Sequence, residues 1–126
     1  MKERFRQELS ERSVTTAQIT ALACVSDDSP WYDGHFPGHP ILPGIAILAL
    51  VEEAITVTER EEGRGVSITG LRRVRFRLPV GPGNRMEIRI VREQKGDGWS
   101  YSFTVALAAE PVCTGIFTGT LEQGTE

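Results

Sequence analysis

The chain has 126 residues, with 40% hydrophobic and 25% charged side chains, which suits one domain over 1–126 with its own core and leaves little room for two. The net charge of −3 excludes a general nucleic-acid footprint. The longest stretch without Lys, Arg, Asp or Glu, Gly34 to Val51, is broken by Pro37, Pro40 and Pro43, so no membrane insertion is expected. No basic-then-apolar leader opens the sequence, and the expected compartment is the cytoplasm.

Residues 1–12 are polar and poorly defined, compatible with a short helix or an edge strand. From Val14 to Ser26 the sequence alternates, with Ala17, Ile19, Ala21, Ala23 and Val25 on one face, which predicts a strand. Asp27 to Pro40 reads as a loop, because its prolines deny it a regular ladder. Pro43 then sits at a first helical position, and Ile45 to Val51 follow without a polar residue. The expectation is a helix apolar all round, hence buried, over Pro43 to Thr58. Glu52 and Glu53 begin its polar end, and Glu59 to Glu62 should be solvated.

The remainder reads as β structure. Gly63 to Gly65 links into it. Val74, Phe76 and Leu78 alternate with Arg73, Arg75 and Arg77, and Pro79 to Asn84 forms a turn. Met86, Ile88 and Ile90 alternate with Glu87, Arg89 and Val91, and Gln94 to Gly98 is a hairpin loop. Trp99, Tyr101, Phe103, Val105 and Leu107 make a regular inward face. After Glu110-Pro111, a last strand from Val112 to Leu121 carries Gly115 and Gly119, which predict close backbone approach or strong curvature. The order is α+β: one buried helix wrapped by a curved, mainly antiparallel sheet. A single sheet cannot enclose such a helix, so a second copy is expected to complete the burial.

Cys24 and Cys113 match no metal spacing and are expected as small buried strand residues. Charge is uneven. Leu71 to Lys95 holds eight basic and two acidic residues, +6 locally, against 6 basic and 15 acidic residues elsewhere. Alone this reads as a solvated strand face; it also suits an acidic partner.

The informative segment is Gly34-His35-Phe36-Pro37-Gly38-His39-Pro40-Ile41-Leu42-Pro43-Gly44. It sets an imidazole in a rigid loop just before a helix start, where the amides of Gly44 and Ile45 lack intrahelical acceptors. A carbonyl bound there is stabilised as negative charge develops on its oxygen, and a histidine beside it can take the α-proton. A loop histidine that merely holds the turn is the plain alternative, and His39 is read that way.

This segment resembles the signature of the 3-hydroxyacyl-[acyl-carrier-protein] dehydratases, which have a hotdog fold. Phe76-Arg77-Leu78-Pro79-Val80-Gly81-Pro82-Gly83-Asn84 is similar to the same family's later strand-turn segment. The resemblance implies a homodimer with sites at the interface, a trimer of such dimers being compatible with family analogy. It implies that His35 acts as base, that the Gly44 amide holds the thioester carbonyl, and that Phe36, Pro43 and Ile45 line the substrate. A carboxylic acid from the partner's helix then protonates the leaving β-hydroxyl, giving a trans-2-enoyl thioester. The family places that acid fourteen residues after the histidine, where this chain has Ala49. Glu53 and Glu52 follow within about one turn and lean back toward the gap, with Glu53 the better angular match. Ordinary solvated residues are the alternative. The family's His-Arg-x-Pro-Phe type entry run is also missing, which suggests a divergent branch.

The implied substrate is a thioester of acyl carrier protein or coenzyme A. Arg73, Arg75, Arg77 and Arg85 are candidates for carrier or phosphate contacts. No cofactor or metal is implied, because proton transfer of this kind needs none and Gly81-Pro82-Gly83 lies between strands. Two other readings stay open: a non-catalytic acyl-thioester-binding protein, supported by Ala49, and, less favoured, a thioesterase.

Overall fold

The computed structural model describes residues 9–15, 17–25 and 41–123. Along them run β1 (Leu9–Val14), β2 (Gln18–Cys24), helix α1 (Gly44–Glu61), β3 (Arg64–Phe76), β4 (Arg85–Lys95), β5 (Gly98–Leu107) and β6 (Glu110–Gln123). The strands form one six-stranded antiparallel sheet in the order β1-β2-β4-β5-β6-β3. α1 covers one face of it, which is the hotdog arrangement. Leu9–Val14 is therefore an edge strand, not a helix.

The alternating residues explain this packing. Ile19, Ala21 and Ala23 of β2, Met86, Ile88 and Ile90 of β4, and Tyr101, Phe103 and Val105 of β5 are all buried against Ala46, Ile47, Leu50, Val51, Ala54 and Ile55 of α1. Each fully buried Ile or Leu side chain contributes roughly 1.5–3 kcal/mol. Gly115 is required on β6 because a Cβ there would stand 2.6 Å from Cζ of Phe103. Gly119 is required because its Cβ would stand 2.9 Å from the Ser67 carbonyl. Both glycines serve close approach, as their place in the last strand predicts.

Two expectations, on Cys24 and on Glu59, are corrected, and one, that a single sheet cannot enclose α1, is met. Cys24 is exposed, since β2 alternates and Cys24 stands on the outer face opposite Arg85; Cys113 is buried, and burial pushes its thiol up to about 11. α1 is not covered on all sides: Ile45 is 67% exposed and Leu48 and Ala49 are half-buried, because the sheet of one chain shields only part of the helix. Glu59 is not solvated but fully buried, held by Tyr101, Arg92 and Arg64.

Among the described residues β3 lies at the sheet edge and pairs with β6 alone. Its register slips twice, between Ile68 and Gly70 and between Arg72 and Arg75. At the second slip Arg73 takes φ 59°, a left-handed conformation that is uncommon outside glycine. The extra residue resets the alternation, so Arg72 faces Ile116 and Arg75 faces Thr114 across the same side of β6. Among the described residues no helix is long and apolar enough to cross a membrane.

Candidate active site

Pro43 caps α1 with extended backbone (φ −62°, ψ 148°), and Gly44 is the first helical residue. The Pro43 carbonyl takes hydrogen bonds from Ala46 (2.9 Å) and Ile47 (3.4 Å), which leaves the Gly44 and Ile45 amides ahead of the helical ladder. No acidic side chain sits in the first turn to compete for that positive end.

The described end of the first segment that carries the resemblance, Ile41 to Gly44, meets the second, Phe76 to Asn84, here. Leu42 N–H donates to the Val80 carbonyl at 2.7 Å, and both side chains are buried. The turn that supplies Val80 is closed by Asn84, whose Oδ1 accepts the Gly81 amide at 2.7 Å, and is tied to Val25 O by the Gly83 amide at 3.2 Å. Between the segments lies a cavity of about 390 Å³ lined by Ile41, Leu42, Gly44, Ile47, Phe76, Leu78 and their neighbours. The space beside Gly44 is not vacant: a Cβ there would meet Phe76 Cζ at 2.6 Å. Gly44 thus makes room for a ring of its own chain, which the sequence did not disclose.

Ala49, Glu52, Glu53 and Thr56 line a second cavity, about 440 Å³, between α1 and β3, which Arg60 and Arg64 close at its far end. Glu52 is exposed and Glu53 half-buried, and the Glu53 carbonyl accepts the Thr56 hydroxyl at 3.2 Å. At ~100° per residue, Glu53 points roughly 180° around the helix from Gly44. One chain therefore does not bring the free amide and the candidate acids together. Ile45 lies on the Ala49 side and does not line the Gly44 cavity. His35 and Phe36 lie outside the described residues.

Arg73, Arg75 and Arg77 line a groove on the outer face of the sheet with Ser102, Thr114 and Ile116. Arg85 does not join them. It sits on β4, three strand spacings from β3, ~14 Å along the sheet.

Sequence reasoning missed a buried charge cluster at the far end of α1. Glu59 Oε2 accepts the Tyr101 hydroxyl at 2.9 Å, and Oε1 lies 2.8 Å from Arg92 Nη1 and 2.9 Å from Arg64 Nη2. Glu62 joins through Arg92 (3.1 Å) and Arg64. Burial alone would raise the Glu59 pKa; the hydrogen bonds and charge of Arg92, with Tyr101 and Arg64, outweigh it and hold the carboxyl below its ordinary value. Burial and the Glu59 hydrogen bond push the Tyr101 hydroxyl well up. One signal was present: Arg92 continues the inward row Met86, Ile88, Ile90, where a cation demands a buried anion.

A helix packed on one face of an antiparallel sheet, with Gly44 at its start lining an apolar cavity and its amide without a partner among the described residues, is the arrangement of a hotdog protein. Residues 10–116 match the ApeI-like family model, described as ApeI dehydratase. The chain is 33% identical over 111 residues to the 3-hydroxyacyl-[acyl-carrier-protein] dehydratase FabZ of Myxococcus xanthus, a match covering 82% of this chain and 72% of that one. It is 32% identical over 112 residues to the enzyme of the same name from Anaeromyxobacter sp. strain K, with the same coverage. Among solved structures it resembles the dehydratase heterocomplex ApeI:P of Xenorhabdus doucetiae, with a TM-score of 0.72, 20% identity, and coverage of 89% of this chain and 96% of that one. A thioesterase from Haemophilus influenzae shares the fold, with a TM-score of 0.68, 15% identity, and coverage of 94% and 80%. The chain belongs to the ApeI-like dehydratase family, and so to the hydro-lyases.

Proposed function

We propose that this protein removes water from a 3-hydroxyacyl thioester, carried on acyl carrier protein or coenzyme A, to give a trans-2-enoyl thioester. The observation that carries this reading is Gly44, whose amide has no partner among the described residues, at the wall of the apolar cavity that Ile41, Leu42, Phe76 and Leu78 help to line. The amide holds the thioester carbonyl, and negative charge arriving on that oxygen is stabilised where no solvent reorganises. His35 takes the α-proton, and the β-hydroxyl leaves with a proton from a carboxylic acid.

The acid has to come from a second chain, because Glu53 and Glu52 line a different cavity from Gly44 within one chain. A homodimer across the β3 edge supplies it, with Glu53 in the place that Ala49 leaves empty. A specific observation favours a second assembly: Ala49 removes the usual acid, and the ApeI:P structure is a complex of two different chains. In a mixed pair the other chain provides the carboxyl and this one provides His35 and Gly44. The arginine groove of β3 steers an acidic carrier toward the assembly, which works in the cytoplasm.

The test is an assay with 3-hydroxyacyl-carrier protein, read by enoyl absorbance and by mass. Loss of water by wild type and not by His35→Ala supports dehydration. Release of free thiol instead identifies a thioesterase. Carrier binding with neither product identifies a binding protein, unless an acid-bearing partner chain restores turnover, which identifies the mixed pair.

A further inference from the structure

We propose that Phe76 determines substrate specificity by excluding thioesters branched at the α-carbon. This deepens the dehydratase reading and rests on it. The ring meets Gly44 end-on: a Cβ on Gly44 would stand 2.6 Å from Cζ, 2.8 Å from Cε1 and 3.1 Å from Cε2. A Cβ lies about 2.5 Å from its own amide nitrogen, so the ring tip is within about 5 Å of the Gly44 N–H. A carbonyl oxygen bonded to that amide at about 2.9 Å puts its α-carbon about 5 Å from the same nitrogen, so an acyl chain that leaves the oxygen on the Phe76 side runs its α-carbon past the ring tip. An added methyl needs about 4 Å of clearance from the ring carbons.

Phe76 is held there by the backbone. It closes β3 opposite Cys113, and the Arg77 amide bonds the Val112 carbonyl at 2.7 Å immediately after it. The ring is nonetheless 51% exposed at the mouth of a cavity lined by Ile41, Leu42, Ile47 and Leu78. A large apolar ring left half in water costs free energy that its contact with an acyl group recovers. Gly44 and Phe76 therefore form a matched pair, the absent side chain of one admitting the ring of the other.

The test uses carba analogues of butyryl-pantetheine and of both α-epimers of 2-methylbutyryl-pantetheine. A CH2 replaces the sulfur and the β-hydroxyl is absent, so the carbonyl stays while neither water nor thiol can leave. Wild type is expected to bind the unbranched analogue at least 10-fold more tightly, the range one methyl commands in an apolar pocket. Phe76→Ala is expected to bring the ratio within about 3-fold, and Phe76→Leu, which keeps more of the packing, to an intermediate value. Equal binding of the analogues by wild type, or an unchanged ratio in whichever variant melts cooperatively, overturns the inference and leaves the dehydratase reading standing. Binding of none of them overturns that reading and the inference with it.

Discussion

The amide of Leu42 donates to the carbonyl of Val80 at 2.7 Å, and this one bond fastens the lead-in to α1 onto the turn behind β3. The two segments are almost forty positions apart in sequence. Their union sets the free end of the helix beside Phe76 and Leu78, so the cavity at Gly44 owes its walls to tertiary pairing and not to the helix alone. Changes in the turn should be felt at the helix start.

The Gly44–Phe76 contact makes a double-mutant cycle informative. Gly44→Ala forces a Cβ into the ring and should cost about 1–3 kcal/mol, the usual range for overpacking. Phe76→Ala removes the obstacle, so the double variant should be more stable than the sum of the single effects predicts. Urea unfolding of the four proteins measures the coupling, and strict additivity counts against the contact.

Glu59 should make stability acid-sensitive. Its pKa in the folded chain lies below the ordinary 4.5, so its stabilising contribution is complete above that value and lost as pH falls through the lower, folded value. Glu59→Gln removes one partner of a buried ion cluster and should cost about 3 kcal/mol at pH 7. The protonated carboxyl resembles the amide, so the gap in Tm between wild type and variant should shrink below pH 4.5. A gap that stays constant down to pH 3 argues against an ionised Glu59.

Tyr101→Phe deletes the hydroxyl that donates to Glu59 and should cost about 1.5–3 kcal/mol, as for other hydrogen bonds to charged groups. It also removes one of the groups that lower the Glu59 pKa, so the acid transition should move to higher pH than in wild type. Thermal melts across pH 3–7 report both effects.

How much of this was legible in the sequence depended on the range of the interaction. Period-two alternation marked the inward faces of β2, β4 and β5, and Pro43 marked the start of α1, because these signals lie within a few neighbouring residues. The His35–Gly44 and Phe76–Asn84 segments stood out one by one, but nothing local says that Leu42 bonds Val80. Glu59 lies in a Glu-Arg-Glu-Glu run that reads as a solvated helix end; only its partners on β4 and β5 make it buried. The slip at Arg73 left no trace either, since neither glycine nor proline marks it.

That slip gives the outer face its charge. With Arg72 and Arg75 projecting from the same side of β3, and Arg77 continuing the row, an acidic carrier meets a line of guanidinium groups. Reversing Arg75 and Arg77 together to Glu should weaken carrier binding by about 10-fold at low salt, mainly through association rate. The loss should fade as ionic strength rises and the Debye length falls. Reversal of Arg85 alone, ~14 Å away along the sheet, should do less. Equal losses from both would move the docking surface toward β4.

The place where the family carries its acid is best probed by refilling it: Ala49 lines the same cavity as Glu52 and Glu53. If Glu53 protonates the leaving hydroxyl, Glu53→Gln should lower kcat by about 100-fold or more, the usual contribution of a general acid, with KM little changed. Ala49→Glu in that background restores a carboxyl one turn nearer the helix start and should recover part of the rate. A gain in rate from Ala49→Glu when neither Glu53→Gln nor Glu52→Gln lowers it has a different meaning. The native acid then comes from another chain, and the homodimer is the incomplete form of the enzyme.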